Sequence, residues 1–165
     1  MTDPTLFPLR AGAATADITP EPGISLAGSL TDRRATSLQD PLHARAVVLE
    51  AGATRLAFVL LDLIALSNRD ADELRQRIAQ AAQLPVENVC LSCTHTHFAP
   101  GTLELFETPR EAEYLQWASE RTAEAARRAV ETLQPARAAW GIGHEARPQY
   151  NRRFHMRDGT VKMNP

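Results

Sequence analysis

The sequence predicts an α/β fold built on a mixed sheet with flanking helices, and three stretches carry that prediction. RLAFVLLDL, residues 55 to 63, is almost continuously apolar, as a strand covered on both faces must be. A helical stretch and a second apolar run, VENVCLSC, follow it by residue 93, which makes a strand–helix–strand unit with parallel strands. HARAVVLEAG, residues 43 to 52, reaches the first of these strands through the short AGAT joint, so that pair reads as an antiparallel hairpin. One parallel and one antiparallel pairing make the sheet mixed.

In chain order, residues 1 to 10 read as a loose tail, and AGAATADIT (11 to 19) as a small-residue strand closed by the turn-rich PEPG. Residues 24 to 41 are polar and irregular and include Arg33 and Arg34. In SNRDADELRQRIAQAAQLP, Ser67 or Asn68 serves as helix cap, and Asp70, Asp72 and Glu73 suit the positive end. Ala71, Leu74, Ile78 and Ala81 recur at helical spacing, and Leu84-Pro85 ends the helix. A longer helix is expected from about Pro109 to Leu133, with Pro109 in its first turn. Its buried stripe is Leu115, Ala118, Thr122, Ala126, Ala129 and Leu133. ARAAWGIGH (136 to 144) reads as a further strand, and the DG in NRRFHMRDGTVKMNP as a turn joining two short strands.

A chain of 165 residues is one domain's worth and is long enough to bury a core. With 44% hydrophobic and 23% charged residues and a formal net charge of −2, nothing favours nucleic acid or an anionic membrane surface as partner. MTDPTLFPLRAG lacks the basic start and apolar core of a secretory signal, and no apolar run approaches the ~20 residues needed to span a bilayer. Two cysteines make no disulfide framework, which is compatible with the cytoplasm and leaves localisation open.

The chemistry is concentrated in NVCLSCTHTHFAPGT, residues 88 to 102. Ligands of open α/β sheets gather where parallel strands end. Asp62 closes the first strand of the parallel unit and His95 and His97 the second, so all three belong on one rim. Strand alternation puts Cys93, His95 and His97 on one face and Cys90 on the other. Three strand residues span ~10 Å, beyond the ~7 Å reach of a disulfide. The two thiols do not converge on a metal either, and no second CxxC completes a four-ligand site. Both cysteines read as packing residues. Most HxH pairs are imidazoles satisfied by hydrogen bonds. Here the strand end, the flanking threonines and the stop at Ala99-Pro100-Gly101 favour a functional pair oriented through its second ring nitrogens. Two histidines alone do not make a catalytic zinc site, which takes three protein ligands and a water.

AGAATADITPEPG, DPLHARAVVLEAG, RLAFVLLDLIALS and NVCLSCTHTHFAPG, in that order, resemble the N-terminal part of the neutral/alkaline non-lysosomal ceramidase family. THTH followed by a small residue, Pro and Gly is the most specific piece, and the late NRR…NP is similar to the family's Asn-Arg-Ser…Asn-Pro stretch. The family consists of zinc amidohydrolases that cleave N-acylsphingosines into a fatty acid and a sphingoid base. The resemblance implies Zn2+ as cofactor and a lipid or related acyl-amide substrate. It implies His95 as a zinc ligand, His97 beside the reacting carbonyl, and Arg152 holding the substrate or the tetrahedral intermediate.

Arg153 stands where the family has Ser, and the family's other zinc ligands, a His, a Glu and a Tyr, lie further along than these residues reach. His144 and His155 do not match them. The expectation is therefore the front portion of a metal-hydrolase domain over residues 11 to 165, an incomplete domain, with self-association through uncovered edges. A non-catalytic fragment, or a relative acting on other amides or esters, is the alternative. Asp62 reads as a loop cap or a second-shell acceptor for a ligand histidine, and Asp17 as a turn residue with a place in the family motif. His43 and His144 lie at a strand start and a strand end, and Arg127 and Arg128 on a solvated helix face.

Overall fold

Alternating small and apolar residues build the central sheet of the computed structural model, which describes residues 8–147 and 151–163. Its strands are β1 (Arg10–Asp17), β4 (His43–Ala51), β5 (Thr54–Leu61), β6 (Val89–Cys93) and the two-residue β7 (Gln134–Pro135), in the order β6-β5-β4-β1-β7. Between β1 and β4 lie β2 (Ser25–Leu26) and β3 (Arg33–Arg34), which pair as a small ladder inside the loop read as irregular. The helices are α1 (Asn68–Ala82) and α2 (Ala112–Glu131), and a separate hairpin is formed by β8 (Arg153–His155) and β9 (Val161–Met163). The mixed sheet is as expected: β4 and β5 are antiparallel through the short joint, and β5 and β6 are parallel across α1.

One face of the sheet is the core. Ala16, Ala44, Ala46, Val48, Val59 and Leu61 point toward Leu74 and Ile78 of α1 and Ala118, Ala125 and Ala129 of α2. Alanine dominates because α2 lies close over β1 and β4. The approach is tightest at Gly12, where an added Cβ would stand 2.0 Å from the Ala129 carbonyl oxygen. Ser67 caps α1 as expected, its Oγ accepting from the Asp70 N–H at 3.1 Å.

α2 also closes the free edge of β1. Its Thr132 Oγ accepts from the Ala13 N–H at 3.1 Å and donates to the Ala13 carbonyl at 3.2 Å. Arg128 donates to the Thr15 carbonyl at 2.6 Å. Arg128 is therefore half-buried against β1, not on a solvated face, whereas Arg127 is exposed and paired with Glu124 and Glu131.

Several boundaries differ from the sequence reading. β1 takes in Arg10, while residues 1–7 of the expected tail lie outside the described residues. Pro109 precedes the long helix, because Glu111 caps it and gives its own N–H to the Gly101 carbonyl. The strand expected over residues 136–144 does not form. Its register runs off the start of β1: the Ala136 N–H reaches the Leu9 carbonyl, and the next residue, Pro8, has no N–H to offer. Trp140 and Ile142 in that segment are left 89% and 82% exposed. The DG turn does join two short strands, β8 and β9, with Gly159 at positive φ. Among the described residues no helix is long and apolar enough to cross a membrane.

The second face of the sheet carries Val47, Leu56 and Phe58, all exposed and adjoining across β4 and β5. Cys90 belongs to this face, beside Phe58 in the β5–β6 register, and is exposed where a packing role was expected. Cys93, on the covered side, is half-buried, and burial raises its thiol above the usual range, which suits packing. An apolar face of this kind is expected to make the chain associate as its concentration rises. Size-exclusion chromatography of Phe58→Ser against the parent checks this, with later elution expected for the variant; a parent that is monomeric at every concentration would contradict it.

Candidate metal centre at the sheet rim

The parallel pair ends at Leu61 and Cys93, which are register partners. The two chains stay together for a few residues more: the Thr94 N–H donates to the Leu61 carbonyl at 2.9 Å and the His95 N–H to the Leu63 carbonyl at 3.0 Å. His95 then takes φ 61°, a left-handed conformation uncommon outside glycine. This twist ends the strand alternation that was expected to place His95 and His97 on one strand face. The two rings meet nonetheless, edge to face, with centroids 5.2 Å apart and planes at 72°.

Each imidazole is held through Nδ1 by a main-chain carbonyl. His95 Nδ1 lies 2.8 Å from the Ile64 oxygen, and His97 Nδ1 lies 3.1 Å from the Gly28 oxygen. A carbonyl only accepts, so Nδ1 is the donor in both rings, and the neutral imidazole held this way carries its lone pair on Nε2. That is how a metal-binding histidine is oriented. Backbone carbonyls fill this role, and Thr96 Oγ accepts from the Phe98 N–H at 3.3 Å.

The loop carrying Gly28 is brought in by an interlocked set of backbone bonds. The Ala27 N–H donates to the Ala99 carbonyl and the Gly101 N–H to the Ser25 carbonyl, at 2.9 and 3.0 Å. Glu111 adds its Oε1 to the Ser25 N–H at 3.1 Å, and the buried Thr102 hydroxyl donates to the Ala65 carbonyl at 2.5 Å. Three segments distant in sequence thus converge on the histidine pair. Gly28 has φ +95°, and a Cβ there would lie 2.4 Å from His97 Cγ. From the same loop, Arg33 donates to the His97 carbonyl at 3.0 Å and lies over the Phe98 ring at 5.1 Å.

The other residues singled out in the sequence sit elsewhere. Asp62 accepts from the His43 N–H at 2.9 Å and pairs with Arg45 at 2.8 Å. Its carboxylate caps the start of β4, not the loop that follows it, and among the described residues it makes no hydrogen bond to His95 or His97. Asp17 is the expected turn residue: its Oδ1 accepts from the Thr19 N–H at 2.8 Å, and Thr19 holds the carboxyl below its usual range. Arg152 is exposed beside β8, and among the described residues it has no hydrogen bond to either histidine. Asn164 and Pro165, the end of the NRR…NP resemblance, lie outside the described residues. No group of three or more His, Cys, Asp or Glu able to hold a metal occurs among the described residues.

This chain matches a neutral ceramidase structure from Pseudomonas aeruginosa at a TM-score of 0.64 and 26% identity, over 78% of its own length and 22% of that chain. A solved ceramidase complexed with C2 matches over the same shares at a TM-score of 0.67 and 26% identity. The fold is that of a neutral ceramidase-like domain. The ceramidase-like chain spans 22% of the length of either solved structure. No family model and no curated protein matches it.

Gly28, Ile64 and Arg33 are parts of this rim that the sequence reading did not single out. Ile64 acts through its carbonyl, which any residue supplies, and so leaves no signal. Gly28 had one: a lone glycine between the small apolar Leu26-Ala27 and the polar Ser29 marks a left-handed turn or a close approach.

Proposed function

We propose that this rim is the metal-binding corner of a ceramidase-like zinc amidohydrolase, whose substrate is an N-acylsphingosine or a related acyl amide. The single observation that carries the reading is the His95–His97 pair, each ring anchored through Nδ1 and free at Nε2, in a fold similar to solved ceramidases. The donor set fits zinc, which binds neutral imidazole nitrogen well. In this reading His95 is a ligand, and the remaining ligands come from outside the described residues, these being the front portion of a larger catalytic domain. The 22% coverage of the solved ceramidases supports that part. Bound zinc would supply an activated water and polarise the scissile carbonyl.

The chain's own residues divide the rest of the work. His97 Nε2 accepts the proton given up by the attacking water and passes it to the amide nitrogen as the C–N bond breaks, so that the amine leaves neutral. The Gly28 carbonyl stabilises the protonated ring through Nδ1 while this happens. In this reading Arg152, exposed beside β8 and away from the histidine pair among the described residues, would supply a permanent positive charge against the negative charge that develops on the carbonyl oxygen once the rest of the site assembles. Relatives acting on other amides or esters would need the same parts.

The test is a zinc titration of the 165-residue chain by calorimetry, beside His95→Ala. One ligand histidine falls well short of a three-ligand site, so weak binding that His95→Ala abolishes is expected, with negligible turnover. Tight one-to-one zinc with hydrolysis of an N-acylsphingosine would overturn the view that ligands are missing from these residues. Comparing N-acylsphingosines with short acyl amides in a longer chain separates the two substrate classes.

A further inference from the structure

The geometry points to Arg33 as the positioning residue of His97, an inference that rests on the role given to that histidine above. Two contacts carry it. The guanidinium donates to the His97 carbonyl at 3.0 Å and lies over Phe98 with its central carbon 5.1 Å from the ring centroid. Residues 97 and 98 are thereby held at both backbone and side chain by one group. Arg33 is anchored in turn by the β2–β3 ladder, in which it is the register partner of Leu26, two residues before Gly28.

Gly28 and Arg33 therefore grip the same histidine from one loop, the first at its ring nitrogen and the second at its carbonyl. Without the second grip, the exposed 96–98 segment would keep only the Thr96–Phe98 bond within itself. His97 would then turn away from the Gly28 oxygen. His95 does not depend on this loop, because its ring is fixed by Ile64 and its N–H by Leu63. The inference is thus selective: Arg33 orders one imidazole of the pair and leaves the other alone. Neither ligand exchange nor proton transfer passes through its own atoms.

The experiment is long-range proton–nitrogen NMR of the histidine rings in the 165-residue chain, which reads the protonated nitrogen of each ring directly. The parent is expected to hold both rings in the Nδ1–H form. Arg33→Ala should lower the ratio of Nδ1–H to Nε2–H forms of His97 by roughly fivefold or more, the factor one neutral hydrogen bond is worth. His95 should not change. Arg33→Lys, which keeps the charge and a donor but not the planar guanidinium over Phe98, should show a smaller shift of the same sign, and it covers the case of a poorly folding alanine variant. Arg137→Ala, at an exposed residue of the segment after β7, should leave both rings as in the parent. An unaltered His97 in both Arg33 variants, or equal changes in His95 and His97, would overturn the inference. Adding zinc chloride to the parent separates it from the functional reading: if neither Nε2 resonance moves, the metal reading fails while the Arg33 result stands.

Discussion

Replacing Gly28 by alanine is expected to displace His97 and to remove the activity of any longer chain that carries this rim. Two effects combine at this position. The backbone sits at φ +95°, outside the regions open to L side chains, and a Cβ would lie 2.4 Å from His97 Cγ and 2.6 Å from its Nδ1. The ring cannot stay where it is. Its carbonyl partner is the Gly28 oxygen itself, so the anchor is lost in the same movement. A displacement of ~1 Å at a reacting group is worth about 10²-fold in rate, and kcat/KM should fall by at least that factor. Gly23→Ala provides the comparison, because Gly23 has φ +101° but nothing within 4 Å of its built Cβ. That variant should show the backbone cost of ~1–2 kcal/mol in urea unfolding with normal kcat/KM. If Gly28→Ala and Gly23→Ala behave alike, the close approach to His97 has no functional weight.

Gly12→Ala is expected to be the most destabilising single methyl that can be added to the sheet. Its Cβ would stand 2.0 Å from the Ala129 carbonyl oxygen and 2.9 Å from the Leu133 nitrogen, both main-chain atoms of the α2 region. Rotamer changes give no relief, so α2 must move off β1. That movement opens the alanine-lined contact beneath it and pulls Thr132 from Ala13. Overpacking of this kind costs about 1–3 kcal/mol, occasionally more, and the upper end is expected because backbone blocks the way. Urea denaturation measures it. Gly141→Ala and Gly143→Ala, with open space around their built Cβ atoms, should stay within about 0.5 kcal/mol of the parent. A Gly12→Ala protein as stable as these two would mean that α2 does not rest on β1 as described.

The sheet was legible because its signals are local. The apolar run ending at Leu61, the short joint before Thr54 and the helix capped by Ser67 each fix a pairing by length and pattern alone. The segment after Pro135 was not legible, since its alternating pattern suits a strand equally well, and only the position of Leu9 and Pro8 denies it a partner. The candidate site divides in the same way. His95 and His97 stood out by residue type and by their place at a strand end. Their meeting depends on a left-handed turn at His95 and on a loop more than sixty residues earlier in the chain, since the Gly28–His97 separation is 69. Main-chain carbonyls orient both rings, and a carbonyl has no residue type to read. Asp62 was placed on the right rim, but Arg45 and the His43 N–H occupy its carboxylate, a competition set by tertiary packing.

The side chains of α2 that satisfy Ala13 and Thr15 give the sheet a direction of growth. On that side an incoming strand finds its bonding groups already spoken for, by Thr132 and Arg128. At the opposite border β6 is the last strand of the order, and among the described residues no strand pairs with its outer side. Main-chain recruitment is therefore blocked along Ala13–Thr15 of β1 and open along β6. Two copies of the sheet can then join border to border at β6 as a twofold pair.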